Sequence, residues 1–265
     1  MRVTTRRAAA AFAALALTLT ACGDDDGGTA EGELDLVADG TLTVCSDLPY
    51  EPFEFEDPDS DIGYSGFDIE LVQAIAETAD LDVAVIASGF EALTSGTSMA
   101  TGDCDMAASA MTITEERAEN IDFSEPYYDA LQSLLVPADS DIAAIGDLGD
   151  GVTVGVQSGT TGEIYATENV EGAEIRAFEN PGDLFVALDA GQIDAILQDL
   201  PVNAERARGD DNIAVVEEYD TDEQYGFAFE KDRPDELLQV INDGLAEVRD
   251  NGTYDELYDK YFSAE

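Results

Sequence analysis

The sequence predicts an α/β protein with two lobes, each a mostly parallel sheet flanked by helices. Short β-rich runs alternate with helical patterns from Thr41 onward, as in βαβ units. The length of 265 residues and the 45% hydrophobic content suit one large domain or two ordinary ones, with a sizeable core. Residues 102–107 and 191–196 also share a pattern, in which a glycine is followed three residues later by an aspartate that opens an apolar strand. This echo suggests two related halves.

Residues 1–21 are predicted to be a secretory signal peptide. Three arginines precede an apolar run, Ala8–Leu19, which is too short to span a bilayer as a helix. The run ends in Leu19-Thr20-Ala21-Cys22, which resembles the lipobox of bacterial lipoproteins. We therefore expect lipidation at Cys22. The alternatives are a signal peptide with a chance cysteine, or an uncleaved anchor.

Residues 22–39 are small, acidic and without periodicity, which predicts a flexible tether. The whole chain has 60 Asp and Glu against 11 Lys and Arg, a formal charge of −49. Such a surplus of carboxylates is self-repelling at low salt. A salty habitat is one hypothesis for it, and an acidic but ordinary surface is the other.

The first predicted lobe comprises residues 40–135 and 228–265. Ser65-Gly66-Phe67-Asp68 has the pattern of a capping box and opens a helix with Phe67, Leu71, Ile75 and Ala79 on one face. The other predicted elements are strands at Thr41–Ser46, Leu81–Ile86, Asp105–Ser109 and Gln132–Val136, and a helical region at Phe90–Thr101.

The second predicted lobe comprises residues 136–227. Its predicted strands are Val152–Val156, Ile193–Gln198 and Ile213–Val216, and its predicted helices are Thr160–Thr167 and Leu184–Ala190. The strand Tyr225–Phe229 then returns to the first lobe, where two helices finish the chain. We expect hinges where the chain crosses between lobes, near 135–138 and 225–227.

Composition excludes several classes of function. The acidic charge argues against a nucleic-acid partner, which needs clustered Lys and Arg. The absence of His excludes histidine-based catalytic triads and imidazole metal sites, and three scattered Cys do not form a zinc finger. We expect no catalytic residues, no metal and no cofactor.

Ligands of such sheets bind beyond the carboxyl ends of the strands, so residues there are candidates. Arg117 follows a strand in a Thr-rich stretch and is a candidate clamp for a carboxylate. A surface arginine paired with nearby glutamates explains the spacing equally well. Asp199 also follows a strand and is a candidate for holding an ammonium, with a helix N-cap as the alternative.

Two further stretches follow strand ends. Gln157-Ser158-Gly159-Thr160-Thr161-Gly162 leads into a helix whose free N–H groups attract anions, although an ordinary turn with a Thr cap has the same sequence pattern. It lacks the Lys-Ser/Thr of a nucleotide P-loop. Tyr50 and Phe90 each follow a strand and are candidate walls of a cleft, near Asp47.

Six motifs in register resemble the bacterial family-3 solute-binding proteins, the receptors of polar amino-acid ABC transporters. They run over about residues 40–262 and include Ser46–Phe55, Gly66–Leu71, Met111–Arg117, Ile121–Tyr128, Val154–Thr161 and Asp194–Asp199. The resemblance implies the type II periplasmic-binding-protein fold, in which two hinge strands join the lobes. It also implies a free amino acid as ligand and an ABC permease as partner. Together with the lipobox-like residues before Cys22, it leads us to expect a protein held by a lipid anchor on Cys22 at the outer face of the cytoplasmic membrane.

The resemblance further implies residue roles. Arg117 would hold the ligand α-carboxylate with backbone N–H groups of Thr112 and Thr161. Asp199, the Thr112 hydroxyl and the Ala110 carbonyl would hold the α-ammonium. The remaining implied contacts surround the side chain or the helix start, at Asp47, Tyr50, Phe90, Gln157 and Thr160. Asp47 with the two aromatic rings suits a polar or cationic side chain.

Two expectations keep alternatives. The leading function is an extracytoplasmic, monomeric binding protein without catalysis. Its rivals are a periplasmic enzyme on the same fold, of the cyclic-acid dehydratase type, and a ligand sensor. Cys45 and Cys104 are expected as buried free thiols rather than a disulfide, because their strand positions imply an offset beyond the ~7 Å Cα limit.

Overall fold

Two five-stranded sheets organise the chain in the computed structural model, which describes residues 34–233 and 236–263. The strands are β1 (Thr41–Ser46), β2 (Phe55–Glu56), β3 (Tyr64–Ser65), β4 (Asp82–Ala87), β5 (Met106–Ala107), β6 (Ile121–Phe123), β7 (Tyr128–Pro137), β8 (Thr153–Gln157), β9 (Glu174–Phe178), β10 (Ala195–Asp199), β11 (Ile213–Tyr225) and β12 (Ala228–Glu230). The helices are α1 (Phe67–Thr78), α2 (Phe90–Thr94), α3 (Thr97–Ala100), α4 (Glu115–Ala118), α5 (Thr161–Asn169), α6 (Pro181–Asp189), α7 (Leu200–Arg208), α8 (Glu236–Asp250) and α9 (Thr253–Phe262).

The two sheets have the orders β4-β1-β5-β12-β6 and β11-β7-β10-β8-β9, and we call them sheet 1 and sheet 2. In each sheet two pairings are parallel and two antiparallel, because β12 runs against both β5 and β6, and β7 runs against both β10 and β11. The predicted α/β class with two sheet-rich lobes is confirmed. The sheets are mixed, however, rather than mostly parallel.

The first lobe is built around β1, which is buried from Leu42 to Ser46, as a central strand must be. Helix α1 crosses from β1 towards β4 and buries Phe67, Leu71 and Ile75 on the predicted face. The same core includes Ile241 and other apolar residues of α8. Burial of this apolar surface is the main term that holds the lobe together.

The predicted capping box at the start of α1 is wrong. Gly66 occupies the N-cap with φ of +124°, and a Cβ there would collide with the Phe53 carbonyl, so the position requires glycine. The Ser65 hydroxyl donates to Asp57 at 2.7 Å instead of capping the helix. The Asp68 side chain is buried and accepts hydrogen bonds from residues outside the helix.

The sequence pattern shared by residues 102–107 and 191–196 corresponds to the same pair of hydrogen bonds in each lobe. The Asp105 N–H donates to the Thr43 carbonyl, and its carboxylate accepts from the Thr43 N–H, both at 2.8 Å. Asp194 makes the same pair of bonds with Thr153, also at 2.8 Å. In both lobes the aspartate therefore fixes the register between a strand and its parallel neighbour.

The chain crosses between the sheets at 124–127 and at 226–227. Strand β7 already belongs to sheet 2 from Tyr128, so the first crossing precedes the expected position at 135–138. Residues 135–138 lie instead at the far end of β7, where β11 pairs with Pro137. The second crossing, at Gly226 and Phe227, falls within the expected range.

The last part of the predicted tether packs on the body. The Val37 N–H donates to Asp105 at 2.8 Å, and the side chain of Arg233 donates to the Asp35 carbonyl. Leu34 and Leu36 are half-buried against the first-lobe core, because alternate apolar residues face the same side of an extended chain. The signal peptide, Cys22 and the rest of the tether lie outside the described residues.

Cys45 and Cys104 form a disulfide, so the expectation of free thiols is wrong. Their Cα atoms are 5.7 Å apart, within the range of ordinary disulfides. The larger Cα–Cα distance expected between Cys45 and Cys104 assumed that a straight strand runs through Cys104. Strand β5 begins only at Met106, so Cys104 lies in the turn before it and approaches Cys45.

Two other differences concern sheet 2. Strand β9 was not predicted, since five residues interrupted by Arg176 gave little periodicity. Strand β11 runs for 13 residues rather than four, with irregular pairing between Tyr219 and Glu223. Among the described residues, none of the helices is long and apolar enough to cross a membrane.

Candidate ligand-binding cleft

All ten residues predicted to contact a ligand line one cleft between the lobes. The free volume inside the cleft is about 20 Å³, room for about one water molecule, so the two lobes are nearly closed on each other. The structure adds Ser109 to the predicted lining, which is otherwise Asp47, Tyr50, Phe90, Ala110, Thr112, Arg117, Gln157, Thr160, Thr161 and Asp199. Cys22, the predicted lipidation residue, lies outside the described residues.

The fold brings these residues together at the carboxyl ends of parallel strands. Asp47 follows β1, Phe90 opens the helix after β4, and Ala110 follows β5. From sheet 2, Gln157 ends β8 and Asp199 ends β10. Side chains from both sheets therefore face the same space, as expected for ligand sites of α/β sheets.

Arg117 is buried, with 7% of its surface exposed. Its guanidinium donates to the Thr112 carbonyl at 2.7 Å and to the Gly159 carbonyl at 3.0 Å. It also lies 5.1 Å from the centre of the Phe90 ring. The alternative of a surface arginine paired with glutamates is therefore wrong.

Burial lowers the pKa of Arg117, and the nearby carboxylates of Asp199 and Glu223 act in the opposite direction. The guanidinium remains charged at any physiological pH, because its ordinary pKa is above 12. Two of its five N–H donors are used by the carbonyls described above, so it retains donors for an anion in the cleft.

Asp199 occupies the N-cap position of α7, but its side chain does not cap the helix. The carboxylate instead accepts hydrogen bonds from Tyr50 at 2.7 Å, from Tyr225 at 2.6 Å and from Gln132 at 2.5 Å. Burial raises the pKa of Asp199 to about 6, and the charge of Glu223 adds to the rise, while the three hydrogen bonds oppose it. Above pH 6 the carboxylate is charged and suited to an ammonium.

Asp47 and Gln157 form a second contact between the lobes. The Gln157 amide donates to the Asp47 carboxylate at 2.6 Å, and the Asp47 N–H donates to the Ser109 hydroxyl at 3.0 Å. Burial raises the pKa of Asp47 to about 6, although the bond from Gln157 opposes the rise. The cleft therefore has a carboxyl group near each of two interlobe contacts.

Helix α5 begins at the cleft. The Thr160 hydroxyl caps it by accepting from the Glu163 N–H at 3.2 Å and donates to the Gln157 carbonyl at 2.8 Å. Glu163 in turn accepts from the Gly159 N–H at 2.7 Å. The Thr cap predicted as the alternative is thus present, and it lies in a helix start that also borders the cleft.

Sequence reasoning missed three polar residues behind the cleft. Glu223 accepts from the hydroxyls of Thr112 at 2.7 Å and Thr161 at 2.6 Å. Gln132 bonds both Asp199 and Glu223, and Tyr225 bonds Asp199. Gln132 could have been found as a polar residue inside an apolar strand. Glu223 gave no signal among 60 acidic residues.

Comparisons with known proteins agree with this architecture. The family model of bacterial extracellular solute-binding proteins, family 3, matches residues 42–264. A probable histidine-binding protein of Neisseria gonorrhoeae is 31% identical over 264 residues, which cover 97% of this chain and 95% of that protein.

Two solved structures are similar over most of the chain. An ancestral arginine-binding protein bound to glutamine is 34% identical with a TM-score of 0.78, and the match covers 86% of this chain and 100% of that one. An ancestral amino acid-binding protein, a precursor of cyclohexadienyl dehydratase, is 39% identical with a TM-score of 0.77, covering 84% and 96%.

Proposed function

The chain belongs to the bacterial extracellular solute-binding proteins, family 3, since that family's model spans residues 42–264, and we propose that it captures a free amino acid for an ABC importer. One observation carries the proposal. Arg117 and Asp199 are buried, oppositely charged and contributed by different lobes, and both line the same cleft. A free amino acid carries one negative and one positive pole, and the lobes must part to admit it, because the closed cleft has room for about one water molecule.

Arg117 binds the α-carboxylate in this proposal, together with backbone N–H groups of Thr112 and Thr161. Asp199, the Thr112 hydroxyl and the Ala110 carbonyl bind the α-ammonium. Both poles must be paired, because a zwitterion loses its hydration in a closed cleft. Neither lobe holds both partners, so the ligand favours the arrangement in which the lobes meet.

The ligand side chain is proposed to be cationic or to end in an amide. Among the described residues that line the cleft, Arg117 is the one cation, whereas Asp47 and Asp199 are acidic. Above pH 6 the cleft thus has an excess negative charge. Asp47 and Gln157 offer an acceptor and an amide, and Tyr50 and Phe90 offer ring faces. The names of the relatives described above include histidine, arginine and glutamine.

Closure is proposed to proceed about the crossings at 124–127 and 226–227. Hydrogen bonds that join the lobes, such as Tyr50 to Asp199 and Gln157 to Asp47, form only when the lobes are together. A ligand that binds the closed form better shifts the population toward it. The permease then distinguishes closed from open protein.

The mature protein is proposed to be a monomer anchored by lipid on Cys22 at the outer face of the cytoplasmic membrane. The proposal rests on the basic start, short apolar run and lipobox-like residues 19–22. Detergent partitioning of the expressed protein and of Cys22→Ser tests the anchor. Recovery of wild type in the aqueous phase would contradict it.

Calorimetric titration of the mature soluble body with the twenty amino acids tests the binding function. We expect one favoured ligand, or a small group with cationic or amide side chains. Arg117→Ala abolishes this binding, whereas Arg176→Ala, which removes an exposed arginine of β9, leaves it unchanged. Absence of binding to all twenty, or equal affinity in Arg117→Ala, would contradict the proposal.

A dehydratase-type enzyme is the second candidate, since one similar structure is a precursor of such an enzyme. Asp47 and Asp199, with pKa values raised to about 6, are the cleft groups suited to proton transfer. Chromatography after prolonged incubation separates the two functions. A transport receptor returns its amino acid unchanged, and an enzyme converts a cyclic carboxylic acid to a new product.

A further inference from the structure

Two carboxyl groups, Glu54 and Asp68, lie fully buried beneath the cleft. Each has 0% of its surface exposed. Their backbones lie close together, because the Asp68 N–H donates to the carbonyl of Phe53, the residue before Glu54, at 3.0 Å. Their side chains bond adjacent residues of the cleft floor: Glu54 accepts from the Ser109 hydroxyl at 2.8 Å, and Asp68 accepts from the Ala110 N–H at 2.8 Å.

One oxygen of each carboxyl has no hydrogen-bond donor among the described residues. These atoms are Glu54 Oε2 and Asp68 Oδ1. Buried polar atoms are normally paired, and the charge of a buried Asp68 carboxylate repels that of a buried Glu54 carboxylate. A single proton between them would remove both problems, since it pairs both oxygens and leaves one charge instead of two.

Among the described residues, the groups that act on the pair include no cation that would let both carboxyls ionise. The titratable groups that act on the pair are Asp47, Asp199, Tyr50 and Tyr127, all of them acids or phenols. Burial and mutual repulsion accordingly raise the pKa of Glu54 well above its ordinary value, and burial raises that of Asp68.

We propose that Glu54 and Asp68 share one proton, carried on Glu54 Oε2 and donated to Asp68 Oδ1, and that Asp68 positions Ala110 in the cleft floor. The proton is assigned to Glu54 because Asp68 has more donors to stabilise its charge. Asp68 accepts from the Ala110 N–H and from the Tyr127 hydroxyl at 2.6 Å, whereas the only donor to the Glu54 carboxyl within the described part of the chain is Ser109.

The bond to Asp68 constrains the backbone of Ala110, which lines the cleft. Its φ of +43° is one that L-residues rarely adopt. The bond from its N–H to Asp68 holds it there, on a residue that lines the cleft. This second part rests on the proposed function, in which the Ala110 carbonyl accepts from the ligand ammonium. The shared proton does not depend on it.

The pH dependence of unfolding tests the shared proton. When the pKa of a glutamate is higher in the folded state than in the unfolded state, folding is most stable at low pH and loses stability as the pH rises. For Glu54 the loss begins near pH 4.3, the ordinary glutamate pKa, and ends at the folded-state pKa. Between these values the unfolding equilibrium constant increases about tenfold per pH unit. Glu54→Gln keeps the shape and a donor toward Asp68 but removes the proton uptake. We expect its stability relative to wild type to increase steadily from pH 5 to pH 8.

The matched control is Glu56→Gln, two residues away and exposed, whose curve should parallel that of wild type. A Glu54→Gln curve that also parallels wild type would overturn the shared proton. Infrared spectra give a test on wild type itself. We expect a carboxylic-acid carbonyl band at pH 8 in wild type and Glu56→Gln but not in Glu54→Gln, and its absence from wild type would also overturn the proposal.

Affinity for the amino acid favoured by wild type tests the positioning role. We expect Glu54→Gln to bind within about twofold of wild type and Asp68→Ala to bind at least about tenfold more weakly. Substituting Gly for Ala110 in the Asp68→Ala protein should restore part of the loss, since glycine adopts positive φ freely. Wild-type affinity in Asp68→Ala would overturn this role. If wild type binds no amino acid, the proposed function fails, while the unfolding and infrared results still decide the shared proton.

Discussion

The hydroxyl of Tyr50 lies 2.7 Å from the carboxylate of Asp199, and this hydrogen bond crosses from one lobe to the other. The two residues are 149 positions apart in the sequence. Tyr50 follows β1 of sheet 1, and Asp199 ends β10 of sheet 2. The bond can form only when the lobes are together, so it contributes to closure before any ligand is considered.

Replacing Tyr50 with Phe keeps the ring and removes this bond. A hydrogen bond to a charged group contributes about 1.5–3 kcal/mol, so we expect the ligand-free protein to open and ligand affinity to fall by about tenfold or more. Small-angle scattering should show that ligand-free Tyr50→Phe has a larger radius of gyration than ligand-free wild type. With saturating ligand, the two proteins should have the same radius of gyration. Tyr258→Phe, on the surface of α9, is the control. An unchanged ligand-free radius in Tyr50→Phe would contradict a role in closure.

Affinity should depend on pH through Asp199. Its pKa is raised to about 6 by burial, so below that pH it takes up a proton and loses the charge that pairs with an ammonium. We expect affinity to be constant from pH 7 to pH 8 and to fall by about tenfold for each unit below pH 6.

Asp47 titrates in the same range and must be separated from Asp199. Asp47→Asn should retain the decline due to Asp199. Asp199→Asn should bind weakly at all pH values and retain only the smaller dependence due to Asp47. Calorimetry from pH 4.5 to pH 8 measures each curve. If the affinity of Asp199→Asn falls with pH as steeply as that of wild type, the assignment of the pH dependence to Asp199 is contradicted.

Many of the cleft residues could be predicted from the sequence, because they lie at or just after the ends of predicted strands. Arg117, Asp199 and Gln157 each follow or end a strand, and the parallel strands bring those ends to one edge. Spacing alone could not decide whether Arg117 was buried or on the surface. That depended on α4 and on the carbonyl of Gly159, 42 residues away, which only the folded chain brings near.

Other features could not be predicted because they depend on contacts between distant segments. The Ser65–Asp68 pattern suggested a capping box, yet Asp68 bonds Ala110 and Tyr127 instead. The disulfide required the path of the turn before β5, which a straight-strand estimate omitted. Glu223 bonds the hydroxyls of two distant threonines from an irregular part of β11, which no local pattern indicated.

The disulfide between Cys45 and Cys104 should stabilise the first lobe. It closes a loop of 59 residues, for which the loop-entropy relation gives about 4 kcal/mol. We expect the double variant Cys45→Ala/Cys104→Ala to melt at a lower temperature and to keep its ligand. A thiol count on unfolded, unreduced protein that begins at residue 34 should give none before reduction. Two free thiols would contradict the bond.

The acidic surface should make stability depend on salt. With a formal charge of −49, carboxylate repulsion is strong at low ionic strength and is screened within a few ångströms at molar salt. We expect the melting temperature to rise from low to molar sodium chloride. Sucrose is the control, since it favours the folded state without screening charge. A melting temperature unaffected by salt would remove the hypothesis of adaptation to a salty habitat.

In the proposed function, Arg117 binds the carboxylate pole of the ligand while Asp199 binds the ammonium pole. Calorimetry can test it with the favoured amino acid and its decarboxylated amine, each titrated into wild type, Arg117→Ala and Asp199→Asn. A buried charge pair contributes about 2–5 kcal/mol, so wild type should prefer the intact amino acid by about thirtyfold or more. Asp199→Asn should retain that preference, and Arg117→Ala should lose most of it. A full preference in Arg117→Ala would contradict the account.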